Sequence, residues 1–271
     1  MSESPSDEHQ ELVERELSER FQTKHAPFQQ RNPEEAAREV EPQMHVYGPN
    51  AQCVTDKSLG KATPQDRLRA VLEASTGSIK LWAKDTTLRW RFRERSLLFF
   101  EDPEGAKTAI QELLGAAVLA WGDAAPIKFA FGKDDWDFEI GVRWASDCTI
   151  SNGSRSCVLA SAFFPDAGQH RLWLYPELFD QNAEAMVRTL VHETGHCFGL
   201  RHYFAPEKET RWPSVKFGTH KPFSIMNYGS QSVLTEADRA DLNRLYEAAW
   251  SGELEEINGT PIRLVKPFSA I

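Results

Sequence analysis

Residues 192–202 read His-Glu-Thr-Gly-His-Cys-Phe-Gly-Leu-Arg-His. His192 and His196 are four apart, so on a helix their imidazoles share one face and can hold one metal ion. Glu193 follows the first histidine and can reach a metal-bound water, where a carboxylate serves as general base. Gly199 lets the helix stop and the chain turn sharply. That turn allows His202 to swing back as a third ligand, where continued helix would carry it away. Three neutral imidazoles leave the fourth position of a tetrahedral zinc open to water, which marks a catalytic rather than a structural site. The expected cofactor is one catalytic Zn2+ on His192, His196 and His202, with Gly199 in a structural role.

Such a site needs a helix to carry it and a sheet to brace it. Met186, Val187, Leu190, Val191 and Phe198 recur at helical spacing between Asn182 and Phe198. Ahead of them, Pro103 starts a helical stripe of Ala106, Ala109, Ile110, Leu113, Leu114, Ala117, Val118 and Trp121. Thr86–Phe92, Ile127–Phe131, Phe138–Trp144, Val158–Phe163 and Leu172–Tyr175 read as strands. Thr235, with Asp238 three residues on, caps a last helix reaching Trp250. The order strand, helix, strands, helix, loop, helix predicts one α/β domain.

Beyond His202 comes Ser224-Ile225-Met226-Asn227-Tyr228-Gly229. With the three-histidine motif, this stretch resembles the Met-turn of the metzincin clan of zinc peptidases. The resemblance implies that Met226 forms an apolar floor under the histidines. Tyr228 matches the tyrosine that astacins and serralysins place near zinc, where it can stabilise an oxyanion. Ala106–Pro126 resembles the first helix of matrixins. Val158-Leu-Ala-Ser-Ala-Phe-Phe-Pro resembles their edge strand, which implies that Leu159, Ala160, Ser161 and Ala162 pair with extended substrate. Tyr203 stands where astacins have a glutamate, and the Gly-rich calcium repeats of serralysins are absent, so the resemblance stops at the clan.

The implied fold is zincin-like, α/β (α+β). It has a twisted, mostly parallel sheet with an antiparallel edge strand, two long helices packed on it, and a C-terminal subdomain with a helix after the Met-turn. The implied activity is that of a zinc-dependent metallo-endopeptidase acting on peptide or protein substrates. The alternative is a non-catalytic or non-peptide-acting zinc protein that keeps the metzincin fold.

Length and charge set the outer limits. The 271 residues carry 31 basic and 40 acidic side chains, a net charge of −9, which disfavours nucleic acid as a partner. Residues 1–45 hold 11 acidic and 5 basic side chains, about two thirds of the excess. Residues 1–78 are therefore expected to be an acidic, largely disordered N-terminal extension and a candidate pro-segment, and residues 79–271 the catalytic domain. No apolar run is long enough for a membrane span, and the N-terminus lacks a secretory pattern, so no membrane partner is expected and a cytoplasmic location is the default. Unconventional secretion stays open. Cys53 lies in the extension as a candidate zinc-blocking thiol or a free cysteine. Cys148 and Cys157 flank a polar loop as either a disulfide or two thiols. His170 is expected on a surface loop.

Overall fold

Leu88, Trp90 and Phe92 alternate with Arg89 and Arg91, the pattern of a strand with one face in the core. A computed structural model, which describes residues 15, 27–31, 77–151, 154–202, 224–226 and 232–271, places these five residues in one strand. Strand β1 (Ile79–Trp82) precedes it, and β2 (Thr87–Phe92) is the alternating segment itself. A 3-10 turn, Glu94–Phe99, leads into helix α1 (Pro103–Trp121). Then come β3 (Lys128–Phe131), β4 (Phe138–Val142), the pair β5 (Cys148–Ser151) and β6 (Ser154–Cys157), β7 (Ala160–Ser161) and β8 (His170–Leu174). Helices α2 (Ala183–Cys197) and α3 (Glu236–Ser251) follow, and β9 (Glu256–Ile257) and β10 (Thr260–Val265) close the order.

The main sheet has the order β3-β2-β4-β8-β7, parallel throughout except for β7, which runs antiparallel to β8 at the edge. This is the expected architecture. Helix α1 is the crossover between the neighbouring parallel strands β2 and β3. Leu88, Trp90, Phe92, Phe138, Ile140, Val142, Leu172 and Leu174 form the covered face of the sheet. Against them lie the buried stripes of α1 and α2, joined in one apolar core. Caps secure the helices: Asp102 accepts from Gly105 at the start of α1, and Asn182 from Ala185 at the start of α2. Thr235 and Asp238 form a reciprocal capping box on α3.

Three features go beyond the sequence reading. Strand β1 pairs in parallel with β10, and β10 with β9, giving a second small sheet that ties the C-terminal segment to the start of the domain. The β5–β6 hairpin sets Cys148 opposite Cys157, and the two sulfurs are bonded, which resolves the open choice in favour of the disulfide. Residues 27–31, from the acidic extension, dock on the domain. Gln30 bridges Phe100, Arg31 N–H donates to Phe99 O at 2.8 Å, and Glu101 N–H donates to Gln29 O at 2.9 Å. Phe28 is 4% exposed, with its ring centroid 4.7 Å from that of Phe179 and 5.7 Å from that of Phe100.

His170 departs from its expected place on a surface loop. It opens β8 and is half-buried, its ring stacked on Phe163 at 4.5 Å. Among the described residues no helix is long and apolar enough to cross a membrane.

Candidate metal centre

His192, His196 and Glu193 all lie on α2, buried at 9%, 0% and 2% exposure. The helix ends as the glycine signal predicts. Gly199 takes φ +92°, its N–H donates to His196 O, and the N–H of Leu200 reaches back to Gly195 O. That double bond pattern is a Schellman ending, which reverses the chain. The reversal brings His202, fully buried, back to the other two rings. Ring centroids are 4.8 Å apart for His192–His196, 4.8 Å for His196–His202 and 5.1 Å for His192–His202.

The hydrogen bonds decide which nitrogens converge. His192 Nδ1 lies 2.7 Å from Ile225 O, and His196 Nδ1 lies 2.7 Å from Leu200 O. A carbonyl only accepts, so each Nδ1 carries the proton and each Nε2 presents a lone pair. His192 Nε2 and His202 Nε2 stand 3.1 Å apart, and the ligand atoms of all three histidines fall within 4.8 Å of one another. Lone pairs gathered this closely fit a shared cation. Tetrahedral zinc with bonds of about 2.0–2.1 Å spaces its ligand nitrogens by about 3.3 Å. The donor set therefore fits Zn2+.

The floor of the site comes from Met226, which is 4% exposed. Its sulfur presses so close to Gly195 that a Cβ there would meet Met226 Sδ at 2.5 Å. Trp121 closes the other side, donating Nε1–H to Thr194 Oγ1 at 3.0 Å. The turn carrying Met226 is anchored in its own right. Ser224 Oγ accepts from Met226 N–H at 3.2 Å and donates to Asp238 Oδ1 at 2.7 Å. Asp238 is also the capping-box carboxylate of α3, so one side chain starts that helix and fixes the Met-turn.

The last carbonyls of α2 are satisfied from outside the motif. Trp82 Nε1–H donates to Cys197 O at 2.7 Å, and Tyr246 O–H donates to Phe198 O at 3.0 Å. Burial pushes the Tyr246 phenol well above its ordinary range, so it stays protonated and can donate. Burial, with Glu193 nearby, does the same to the free, fully buried thiol of Cys197. None of Trp82, Trp121 or Tyr246 carried a functional signal in the sequence; each acts at long range through one polar atom. Ser224 and Asp238 were visible only as parts of local motifs.

The other expected site residues divide. Ala160 and Ser161 form the edge strand β7, opposite Leu174 and Trp173, while Leu159 and Ala162 flank it, Leu159 O accepting from Tyr175 N–H. Tyr228 and Cys53 lie outside the described residues.

A family model for the matrixins matches residues 81–246, which spans β1 through most of α3. No curated protein matches the chain. Among solved structures, the chain is similar to high choriolytic enzyme 1 (HCE-1), a hatching enzyme zinc-protease from Oryzias latipes (Medaka fish). That match has 14% identity and a TM-score of 0.36, covering 70% of this chain and 99% of the other.

Proposed function

The chain belongs to the matrixin family and is a zinc metalloendopeptidase, and we propose that it opens peptide bonds with Glu193 as general base and His192, His196 and His202 as the zinc ligands. The observation that carries this reading is the convergence of three imidazoles, two of them oriented by Nδ1–H bonds to main-chain carbonyls. Zinc held there supplies Lewis-acid chemistry, lowering the pKa of water toward neutrality and polarising a carbonyl.

The chain's own residues do the rest. Glu193, buried beside the first ligand, accepts the proton of the attacking water and passes it to the leaving amine. The edge strand at Leu159–Ala162 pairs with an extended substrate backbone, which sets the scissile bond over the histidines. Tyr228 donates a hydrogen bond to the developing oxyanion. Met226 keeps the floor dry and the first ligand in place.

The test is digestion of a broad peptide library by the zinc-loaded protein, with and without chelator. Internal cleavage that chelator abolishes and added zinc restores is the expected result. A zinc-loaded chain that leaves every peptide intact overturns the reading.

A further inference from the structure

The two faces of the main sheet differ in kind. One carries α1, α2 and the core; the other carries a row of guanidiniums. Arg89 and Arg91 point outward from β2, and Arg93 follows at the same alternate spacing of about 6.6 Å. Across the strands, Arg91 is in register with Glu139 on β4, and Glu139 with Arg171 on β8. Arg143 completes the group just beyond β4. The side chains of Arg91, Arg93 and Arg171 are 37%, 38% and 52% exposed, while that of Glu139 is 9% exposed.

Aromatic rings lie close to four of these guanidiniums. Arg143 lies 3.9 Å from the centre of the Trp173 ring, with Arg171 and Arg93 at 5.8 and 5.9 Å, and Arg91 lies 4.6 Å over Trp136. Trp173 can lie across the sheet because its partner on β4 is Gly141, where a Cβ would come within 2.5 Å of the indole. A guanidinium lying against a ring can still bind an anion through its N–H groups, as Arg91 does with Glu139.

Among the described residues, Glu139 is the one carboxylate that ion-pairs with this group: Arg91 at 2.9 Å, Arg93 at 3.6 Å and Arg171 at 3.9 Å. Asp137 is buried beneath, bonded to Arg89 N–H and to Ser269, and Asp134 and Asp135 lie in the exposed turn before β4. Five arginines against one paired carboxylate leave an excess of positive charge, on a chain whose net charge is −9.

The geometry points to a second substrate-binding surface, separate from the zinc site, that takes an extended acidic polypeptide segment. Arg91 already displays the mode, donating from Nε and Nη2 to one oxygen of Glu139 at 3.1 and 2.9 Å. An extended chain presents alternate side chains at the same spacing as the β2 arginines, so acidic residues at every second position fall in register with them. Polypeptide is the polymer a peptidase gathers, so this assignment rests on the peptidase reading above. The surface would recruit substrates that carry an acidic stretch away from the cleaved bond.

The test uses the full chain and labelled poly-L-glutamate as probe, with Arg89→Ser/Arg171→Ser as the variant. That pair spares the Arg91–Glu139 bonds, and its melting midpoint checks folding. The expected result is salt-sensitive binding that weakens by about tenfold or more in the variant. In parallel, appending an acidic tail to a neutral peptide substrate should lower KM with kcat unchanged in the parent chain, and leave KM unchanged in the variant. Cleavage of the neutral peptide reports the peptidase reading by itself. Equal probe affinity in parent and variant overturns the proposal. Binding of heparin without binding of poly-L-glutamate reassigns the face to sulfated polysaccharide and overturns it. Probe binding that appears only after removal of residues 1–26 assigns the face to the chain's own acidic segment and overturns it as well.

Discussion

His192 donates its Nδ1–H to the main-chain carbonyl of Ile225, the residue just before Met226. The histidine proposed as first zinc ligand and the turn proposed as its floor are therefore mechanically linked, since movement of that turn would carry the His192 ring with it. Ser224 keeps that turn in place by bridging Met226 N–H and Asp238. Replacing Ser224 by Ala leaves the buried Met226 N–H without its acceptor, at a cost of about 1–3 kcal/mol, while Asp238 keeps its bonds to Thr235. Thermal unfolding should show the loss, and competition with a graded chelator should show weaker zinc retention. A variant with parental zinc affinity would mean that Ile225 is held by other contacts.

Glu193→Gln preserves volume and most hydrogen bonding but cannot accept a proton. The expected outcome is full zinc stoichiometry with kcat/KM reduced by about 10²–10⁴-fold. Zinc content by atomic emission and turnover of a fluorogenic peptide settle the two halves separately. Parental turnover would remove Glu193 from the general-base role.

Gly195→Ala tests the contact beneath the site. The added methyl would stand 2.5 Å from Met226 Sδ and 3.3 Å from Trp121. Overpacking of this kind costs about 1–3 kcal/mol. Because the clash falls on the Met-turn, zinc affinity should fall together with the melting midpoint. Smaller Met226 substitutions, combined with Gly195→Ala, should recover part of the loss.

Metal removal follows from the same geometry. Lone pairs 3.1 Å apart on His192 and His202 repel when nothing positive lies between them. The chelated protein should melt at a lower temperature than the zinc-loaded one, by a margin that grows with free zinc concentration. Identical melting with and without zinc would contradict the fit.

The histidine cluster and its helix were legible because the pattern is local: five positions within 192–202 impose a helix, a stop and a return. The strands β2, β3, β4 and β8 were legible because their apolar runs or alternation reveal burial. What escaped was carried by pairing between distant segments. Nothing in Thr260–Val265 announces that it will lie beside Ile79–Trp82. Nor does Trp82 announce that its indole will cap the helix that carries His192 and His196. Phe28 is an aromatic in an acidic stretch, and only the hollow beside Phe100 and Phe179 explains it. The arginine face was hidden by the overall negative charge, which averages over the surface what the sheet collects on one side.

The pH dependence of stability has a sign that His170 helps to set. Burial against Phe163 lowers its pKa below the ordinary 6.5, with Lys80 pulling the same way and Asp166 and Asp137 opposing. The unfolded chain therefore binds this proton more readily. Its contribution to stability is complete above a pH of about 6.5 and is lost as pH falls below that value. Denaturant unfolding of His170→Gln beside the parent should show a shallower loss of stability on acidification. Parallel curves would exclude His170 as a source of the slope.

Among the described residues, Phe28 sits in its aromatic hollow as part of a short contact formed by residues 27–31. One buried ring and a few main-chain bonds are worth about 5 kcal/mol, an affinity of about 0.1–1 mM for separate pieces. The peptide link to the domain raises the local concentration enough to keep the hollow filled. A single cut between residues 31 and 77 would remove that advantage and leave the segment held by its non-covalent contacts alone. Phe100 and Phe179 are uncovered whenever those contacts let go, so the integrity of one distant bond bears on how often this side of the molecule turns from smooth to sticky.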